Sequence, residues 1–201
     1  MKNILLIYRG QVFDTEIKPR LEQYKNDNVV LIVDNKLTRK IVGYLTADYE
    51  QKINIITIHE YINKGVVDNM KFDVIIGNPP YQLQVGPSKT EPIWNKVVEK
   101  SIEQLKDSGE ISVIHPIGWR AVGGKPSIKK IFNLYKTYNL TRVDMHDIKD
   151  GMKTFNAKTP YDVVYLKKEP YQNKTELNFM DGTQEIVDIS DMDFIPNSRL
   201  S

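Results

Sequence analysis

Phe72-Asp73-Val74-Ile75-Ile76-Gly77-Asn78-Pro79-Pro80-Tyr81-Gln82 is the stretch from which the rest of the chain can be read. Its first five residues are an apolar, β-branched run that reads as a buried strand, and a glycine, an amide, two prolines and an aromatic follow at once. Working outward, Ile4 to Tyr8, Val29 to Val33 and Ile53 to Ile58 are three earlier runs of the same kind. Ile111 to Ile114, Thr141 to Met145 and Asp162 to Leu166 are three later ones. Between them lie helical spacings: Thr15 to Tyr24 with Pro19 in its early turns, Leu37 to Leu45, and Glu91 to Lys106, which Ser108-Gly109 ends. Ser127 is placed to cap a further helix whose Ile128, Ile131, Phe132 and Tyr135 share a face. Continuous Ile, Val and Leu runs separated by helices are the pattern of a parallel sheet covered on both faces. The expected class is therefore α/β, a doubly wound Rossmann-like sheet of about seven strands. After residue 170 the character changes. Glu176 to Ile189 reads as a hairpin about Asp181-Gly182, and Asp191 to Asn197 has no periodicity.

Composition excludes several functions. With 28 Lys plus Arg against 26 Asp plus Glu, the net charge of +2 excludes a strongly basic nucleic-acid binder and an acidic disordered chain. There is no cysteine, so disulfides, thiolate zinc sites and a cysteine nucleophile are excluded. No apolar run approaches the roughly 20 residues of a membrane span, and the apolar stretch before Arg9 is too short for a signal peptide. The expectation is a cytoplasmic chain without membrane contact. His59, His115 and His146 lack metal-ligand spacing, so no metal is expected.

In a doubly wound sheet, ligands bind at the carboxyl ends of strands. Asn78 to Tyr81 stand at that edge. Proline fixes φ and donates no N–H, so neighbouring carbonyls are free to accept from a ligand. The Asn78 amide adds an acceptor oxygen. A planar amine between the Asn78 oxygen and the Pro79 carbonyl has both protons accepted, which readies its lone pair to attack an electrophilic methyl. Tyr81 can lie flat on the ring that carries the amine. The plainer alternative is a loop in which Pro79-Pro80 stops the strand and Tyr81 packs.

Phe72 to Gln82 resembles the catalytic motif of amino-methyltransferases that use S-adenosylmethionine, above all the adenine-N6 DNA methyltransferases. The context is similar to the gamma-type arrangement of type IIG-like restriction-modification methylases, and the likeness runs from about Ile53 to Lys168. The resemblance implies a methyltransferase-like catalytic domain over 1–170, with a C-terminal hairpin and tail over 171–201. It implies that Asn78, Pro79, Pro80 and Tyr81 hold the target amine of a base turned out of the duplex. Phe155, in Met152 to Lys158, is similar to the phenylalanine that packs on that base. On the cofactor side it implies Asp34 for the ribose hydroxyls, Glu60 for the adenine amine and Tyr61 over its ring, with Asn78 bordering the same ligand.

Two parts of that pattern are absent. The loop after the first strand should carry an acid and at least two glycines, yet Tyr8-Arg9-Gly10-Gln11 has one glycine and a basic residue. No separate target-recognition domain follows, so a recognition subunit or other partner protein is expected to supply sequence choice. From Ile117 to Val143 there are six basic residues and no acid, with aromatics interleaved. Trp119, Arg120 and Lys125 are the candidates there for contact with DNA, or with RNA as the alternative; the plainer reading is a solvated helix face. Competing functions are methylation of RNA or of protein glutamine, and a nucleic-acid-binding subunit without turnover.

Overall fold

The computed structural model describes residues 1–8, 13–64, 70–121, 123 and 126–199, without the side chains of residues 64, 85 and 86. β1 (Asn3–Ile7) runs parallel to β2 (Asn28–Val33), and Ile4 to Ile7 are fully buried. β3 (Ile53–Thr57) extends β2 in parallel, and β4 (Phe72–Gly77) lies parallel on the other side of β1. The order β4-β1-β2-β3 puts β1 and β2 inside the sheet, which explains their unbroken apolar runs.

Two compact units divide the chain, Met1–Gly109 and Glu110–Ser201. In the first, a π-helical turn at Phe13–Ile17 leads into α1 (Lys18–Gln23), whose Pro19 occupies the first turn, where a missing N–H costs little. Ile17 and Leu21 pack with Tyr8, Leu31 and Val42 in the core. α2 (Lys36–Leu45) is capped by Asn35, whose Oδ1 accepts from the Leu37 and Thr38 N–H groups at 2.9 Å each. α3 (Ile58–Lys64) follows β3 directly. Beyond β4 comes a hairpin absent from the sequence expectation, β5 (Gln82–Gly86) against β6 (Lys89–Pro92). The long helix then begins later than its periodicity suggested, as α4 (Trp94–Gln104), because Glu91 and Pro92 belong to β6. Ser108-Gly109 does not end that helix. Leu105 is already extended, and Ser108 at φ 60 lies within β7 (Leu105–Pro116).

In the second unit a 3-10 turn, Ile117–Arg120, follows β7. α5 (Pro126–Thr137) buries Ile131, Phe132 and Tyr135 as expected, although Ser127 lies inside its first turn and does not precede it. β8 (Tyr138–His146) leads to α6 (Ile148–Phe155), a helix the sequence did not suggest. Asp147 caps it by accepting from the Lys149 and Asp150 N–H groups, and Asn156, left-handed at φ 52, closes it. β9 (Tyr161–Pro170) is antiparallel to both β7 and β8. β10 (Thr175–Asn178) pairs parallel with β8 and antiparallel with β11 (Gln184–Val187), the hairpin expected about Asp181-Gly182. The fold is α/β with a mixed sheet in which β1 to β4 run parallel. The described residues form eleven strands: the seven expected, the expected C-terminal hairpin β10–β11 joined to the same sheet, and the additional pair β5–β6 in a sheet of its own.

Candidate active site

Parallel pairing places the carboxyl ends of β1 to β4 at one edge of the first unit. Tyr8, Asp34, Ile58 and Asn78 are the first residues beyond them. The Asn78 N–H donates to the Ile7 carbonyl at 2.9 Å, so the loop leaves β4 tied to the neighbouring strand. Gly77 opposite Ile7 makes this approach attainable, since a β-carbon there would collide with the Ile7 backbone and side chain. Pro79 and Pro80 are buried. The Tyr81 carbonyl accepts from the Ile93 N–H at 3.1 Å, which fixes the far end of the loop beside α4. Between these two ties the Asn78 Oδ1 is buried and, among the described residues, accepts no hydrogen bond. A buried acceptor left open this way is costly unless a ligand or water uses it.

Asp34 shows the same feature at the end of β2. Its Oδ1 is buried without a partner among the described residues, and the adjacent Asn35 caps α2 in its place. Such an acceptor fits a hydroxyl-bearing ligand at this edge. Glu60 does not remain free in this way. Its Oε2 accepts from the Thr57 N–H at 2.7 Å and from the Thr57 hydroxyl at 3.0 Å, and Arg39 pairs with its Oε1 at 3.0 Å. Thr57 first, then Arg39, hold its carboxyl below the usual range. Glu60 therefore serves the start of α3, which corrects its expected role as an open acceptor for a cofactor amine. Tyr61 is also corrected. It is fully buried, its hydroxyl shares a 3.1 Å hydrogen bond with Ser101, and burial pushes its phenol well up, so its ring is a core element. Residues 9–11 of the first-strand loop lie outside the described residues. Before them, Tyr8 is buried, donates to the Glu16 carbonyl and has its phenol raised to about 12 by burial.

In the second unit Trp119 and Arg120 are each 2% exposed. Both bind Asp162, which is fully buried. The Trp119 indole N–H donates at 2.7 Å, and Arg120 donates from Nε at 2.8 Å and from Nη2 at 3.2 Å. Burial pushes the Asp162 carboxyl upward, and these donors pull against it. Arg120 also reaches the Ile195 and Pro196 carbonyls and Asn197 Oδ1. A cation 2% exposed and paired with a buried carboxylate is not presented to phosphate, which corrects its expected contact with nucleic acid; Trp119, equally buried, is corrected with it. Lys125 lies outside the described residues. Lys136 donates to the Met192 carbonyl and Arg142 pairs with Asp144. Of the basic stretch, Lys129 and Lys130 are exposed on α5.

Phe155 ends α6, half-buried, with its ring edge-on to Tyr161 at 4.9 Å. Tyr161 stacks on His146 at 4.4 Å, and His146 pairs with Asp150. This support was not read from the sequence, although His146 and Tyr161 stand opposite each other in the β8–β9 register. Asp162 was also missed; a lone acid inside the apolar run Tyr161 to Leu166 was its signal. Among the described residues no group of His, Asp or Glu is arranged to hold a metal ion, and no helix is long and apolar enough to cross a membrane.

A family model described as Eco57I restriction-modification methylase matches residues 4–155. No curated protein matches the sequence. Among solved structures, the chain is similar to one described as a modification subunit of a type I restriction enzyme from Vibrio vulnificus YJ016 (TM-score 0.66, 13% identity, 88% of this chain and 42% of that one). It is similar to one described as a class I S-adenosylmethionine-dependent methyltransferase from Listeria monocytogenes (TM-score 0.64, 10% identity, 90% of this chain and 59% of that one). It is also similar to the M protein of the type I restriction enzyme EcoKI (TM-score 0.60, 12% identity, 86% of this chain and 43% of that one). At these identities the likeness is one of fold, and the chain spans 42–59% of the length of these three structures.

Proposed function

Because the chain belongs to the Eco57I restriction-modification methylase family, we propose that it transfers a methyl group from S-adenosylmethionine to the exocyclic N6 amine of adenine in DNA. The observation that carries this reading is the buried, unpartnered Asn78 Oδ1 beyond β4, in a loop tied at Ile7 and at Ile93. That oxygen accepts one proton of a flat amine, and the Pro79 carbonyl accepts the other. The nitrogen lone pair is then held along one line, so the rate gain comes from positioning. S-adenosylmethionine, when bound, supplies the electrophilic methyl on a sulfonium sulfur. Asp34 Oδ1 is the acceptor for its ribose hydroxyls. The Tyr81 ring stacks on the extruded base, and Phe155 is offered separately as a base-stacking aromatic of the second unit. In this reading sequence choice comes from a recognition subunit or partner outside these 201 residues. Residues 1–170 form the catalytic body.

The test is transfer of labelled methyl from S-adenosylmethionine into separate DNA, RNA and protein pools, with nucleoside mass spectrometry of the product. Label should enter DNA as N6-methyldeoxyadenosine. Asn78→Ala should abolish it and leave the circular dichroism spectrum unchanged. Label in RNA or in protein glutamine, or persistence in Asn78→Ala, refutes the assignment. A purified chain that methylates one short DNA sequence strongly and alone refutes the partner.

One observation favours a second reading, a methyltransferase-like subunit that binds nucleic acid without turnover. Glu60 and Tyr61 are both committed inside the protein, which leaves Asp34 as the open acceptor on the cofactor side. Calorimetry separates the two. Absence of binding at millimolar S-adenosylmethionine selects the second reading.

A further inference from the structure

α2 carries an apolar face that the fold does not use. Thr38 and Val42 point into the core and are buried. Leu37, Ile41, Tyr44 and Leu45 are 63%, 39%, 84% and 43% exposed. Their spacing of i, i+4, i+7 and i+8 aligns them in one stripe along the helix. A surface helix ordinarily presents polar side chains there, and a contiguous row of large apolar groups marks a contact surface. The stripe is rigidly presented, because Asn35 caps the helix and Thr46 closes its other end by bonding back to the Val42 carbonyl.

The charged residues of α2 itself beside the stripe have one sign. At about 100° per residue, Lys40 and Lys36 fall beside Tyr44 and Leu37, on the edge away from Val42. The ten residues of α2 include three cations and no acid. Arg39 lies on a different side and pairs with Glu60, so the two lysines define the rim. A second copy docked antiparallel through the same stripe would bring lysine rims together, which disfavours that mode of self-association. An acidic partner gains where a second copy loses.

We propose that the Leu37–Ile41–Tyr44–Leu45 stripe of α2 is a docking site for an amphipathic helix of a partner protein, with an apolar face and an acidic edge set against Lys36 and Lys40. About two turns of stripe match the i, i+3, i+4, i+7 anchors with which one helix engages another. The site is separate from the Asn78 loop and does not depend on methyl transfer.

The test uses the full chain and a fluorescein-labelled synthetic helix with leucines at i, i+3, i+4 and i+7 and glutamates along its edge. A second peptide carries lysines in place of the glutamates. Anisotropy should show saturable binding of the acidic peptide, at least about tenfold tighter than the lysine peptide and weakened by salt. Leu37→Glu and Tyr44→Glu should abolish binding, and Lys36→Glu with Lys40→Glu should reverse the peptide preference. Thermal melts of each variant check folding, and the lysine pair tests the charge without touching the stripe. Equal affinity for both peptides, or no binding, overturns the proposal. So does a dimer in sedimentation that the stripe variants dissociate, or binding to anionic phosphatidylglycerol vesicles in place of the peptide.

Discussion

Arg120→Met separates an internal role from a nucleic-acid role for the second unit's buried cation. In the protein the Arg120 guanidinium makes two bonds to Asp162 and three to the segment Ile195–Asn197. Its removal leaves the Asp162 carboxylate, fully buried, with the Trp119 N–H as its remaining donor of those described. Breaking a buried ion pair from one side costs about 3–5 kcal/mol, because the surviving charge stays desolvated. The lost bonds to the two carbonyls and Asn197 push the value toward the upper end, at roughly 1 kcal/mol each. Urea unfolding followed by circular dichroism should register that loss. Limited proteolysis should show faster cleavage after Ile189. The pair Arg120→Met with Asp162→Leu should recover part of the loss, with a coupling of about 1–3 kcal/mol. A loss below about 1 kcal/mol, or strictly additive single variants, refutes the internal role. A phosphate contact would behave differently: stability would be unchanged, and the salt dependence of nucleic-acid binding would flatten by about one ion.

His115 is fully buried against Trp119 and hydrogen-bonded to the Tyr135 hydroxyl, and burial lowers its pKa from 6.5 to about 4. The unfolded chain thus binds a proton that the folded chain refuses between those values. Stability from this group is complete above pH 6.5 and is lost as pH falls toward 4, by about 2 kcal/mol between pH 7 and pH 5. His115→Gln should remove that part of the pH dependence in denaturant titrations, and an unchanged slope contradicts the assignment. Gly77→Ala sets a methyl against the Ile7 backbone and should cost about 1–3 kcal/mol by urea unfolding while depressing methyl transfer. Near-normal stability and activity would show that the loop tolerates displacement from β1. Phe155→Ala should weaken duplex substrates more than single-stranded ones, by up to about 1–3 kcal/mol, because stacking offsets the cost of extrusion. Equal loss on both in a methylation competition argues against the stack.

The parts of the fold that were legible from sequence are those where burial leaves little choice of residue. Ile4 to Ile7 and Val29 to Val33 are enclosed on both faces, so their composition alone names them as strands. The Asn78 loop was legible for a local reason, since proline, amide and aromatic chemistry act within four residues. The β5–β6 hairpin was not, because the alternation of Leu83 and Val85 spans only four residues and Pro87 to Pro92 is mostly polar. α6 escaped notice because Gly151 interrupts its helical pattern. The backbone near Thr159 and Ala157 packs where a side chain at Gly151 would stand. Arg120 was misread for the opposite reason. An exposed arginine and an enclosed one look alike in a sequence when the deciding partner, Asp162, is 42 positions away. Glu60 and Tyr61 were assigned by order after β3, where helix formation and Ser101 decided their orientation.

The hydrogen bond from Asn78 to Ile7 makes the proposed catalytic tetrapeptide inseparable from two adjoining strands. Transplanting the tetrapeptide alone into another scaffold would carry over its side chains without the anchorage that aims them. A workable graft would need Gly77 and a parallel neighbour offering a carbonyl at the Ile7 position. In the proposed methyl transfer, substitutions in β1, which contributes no reactive group, are therefore a lever that acts from a distance.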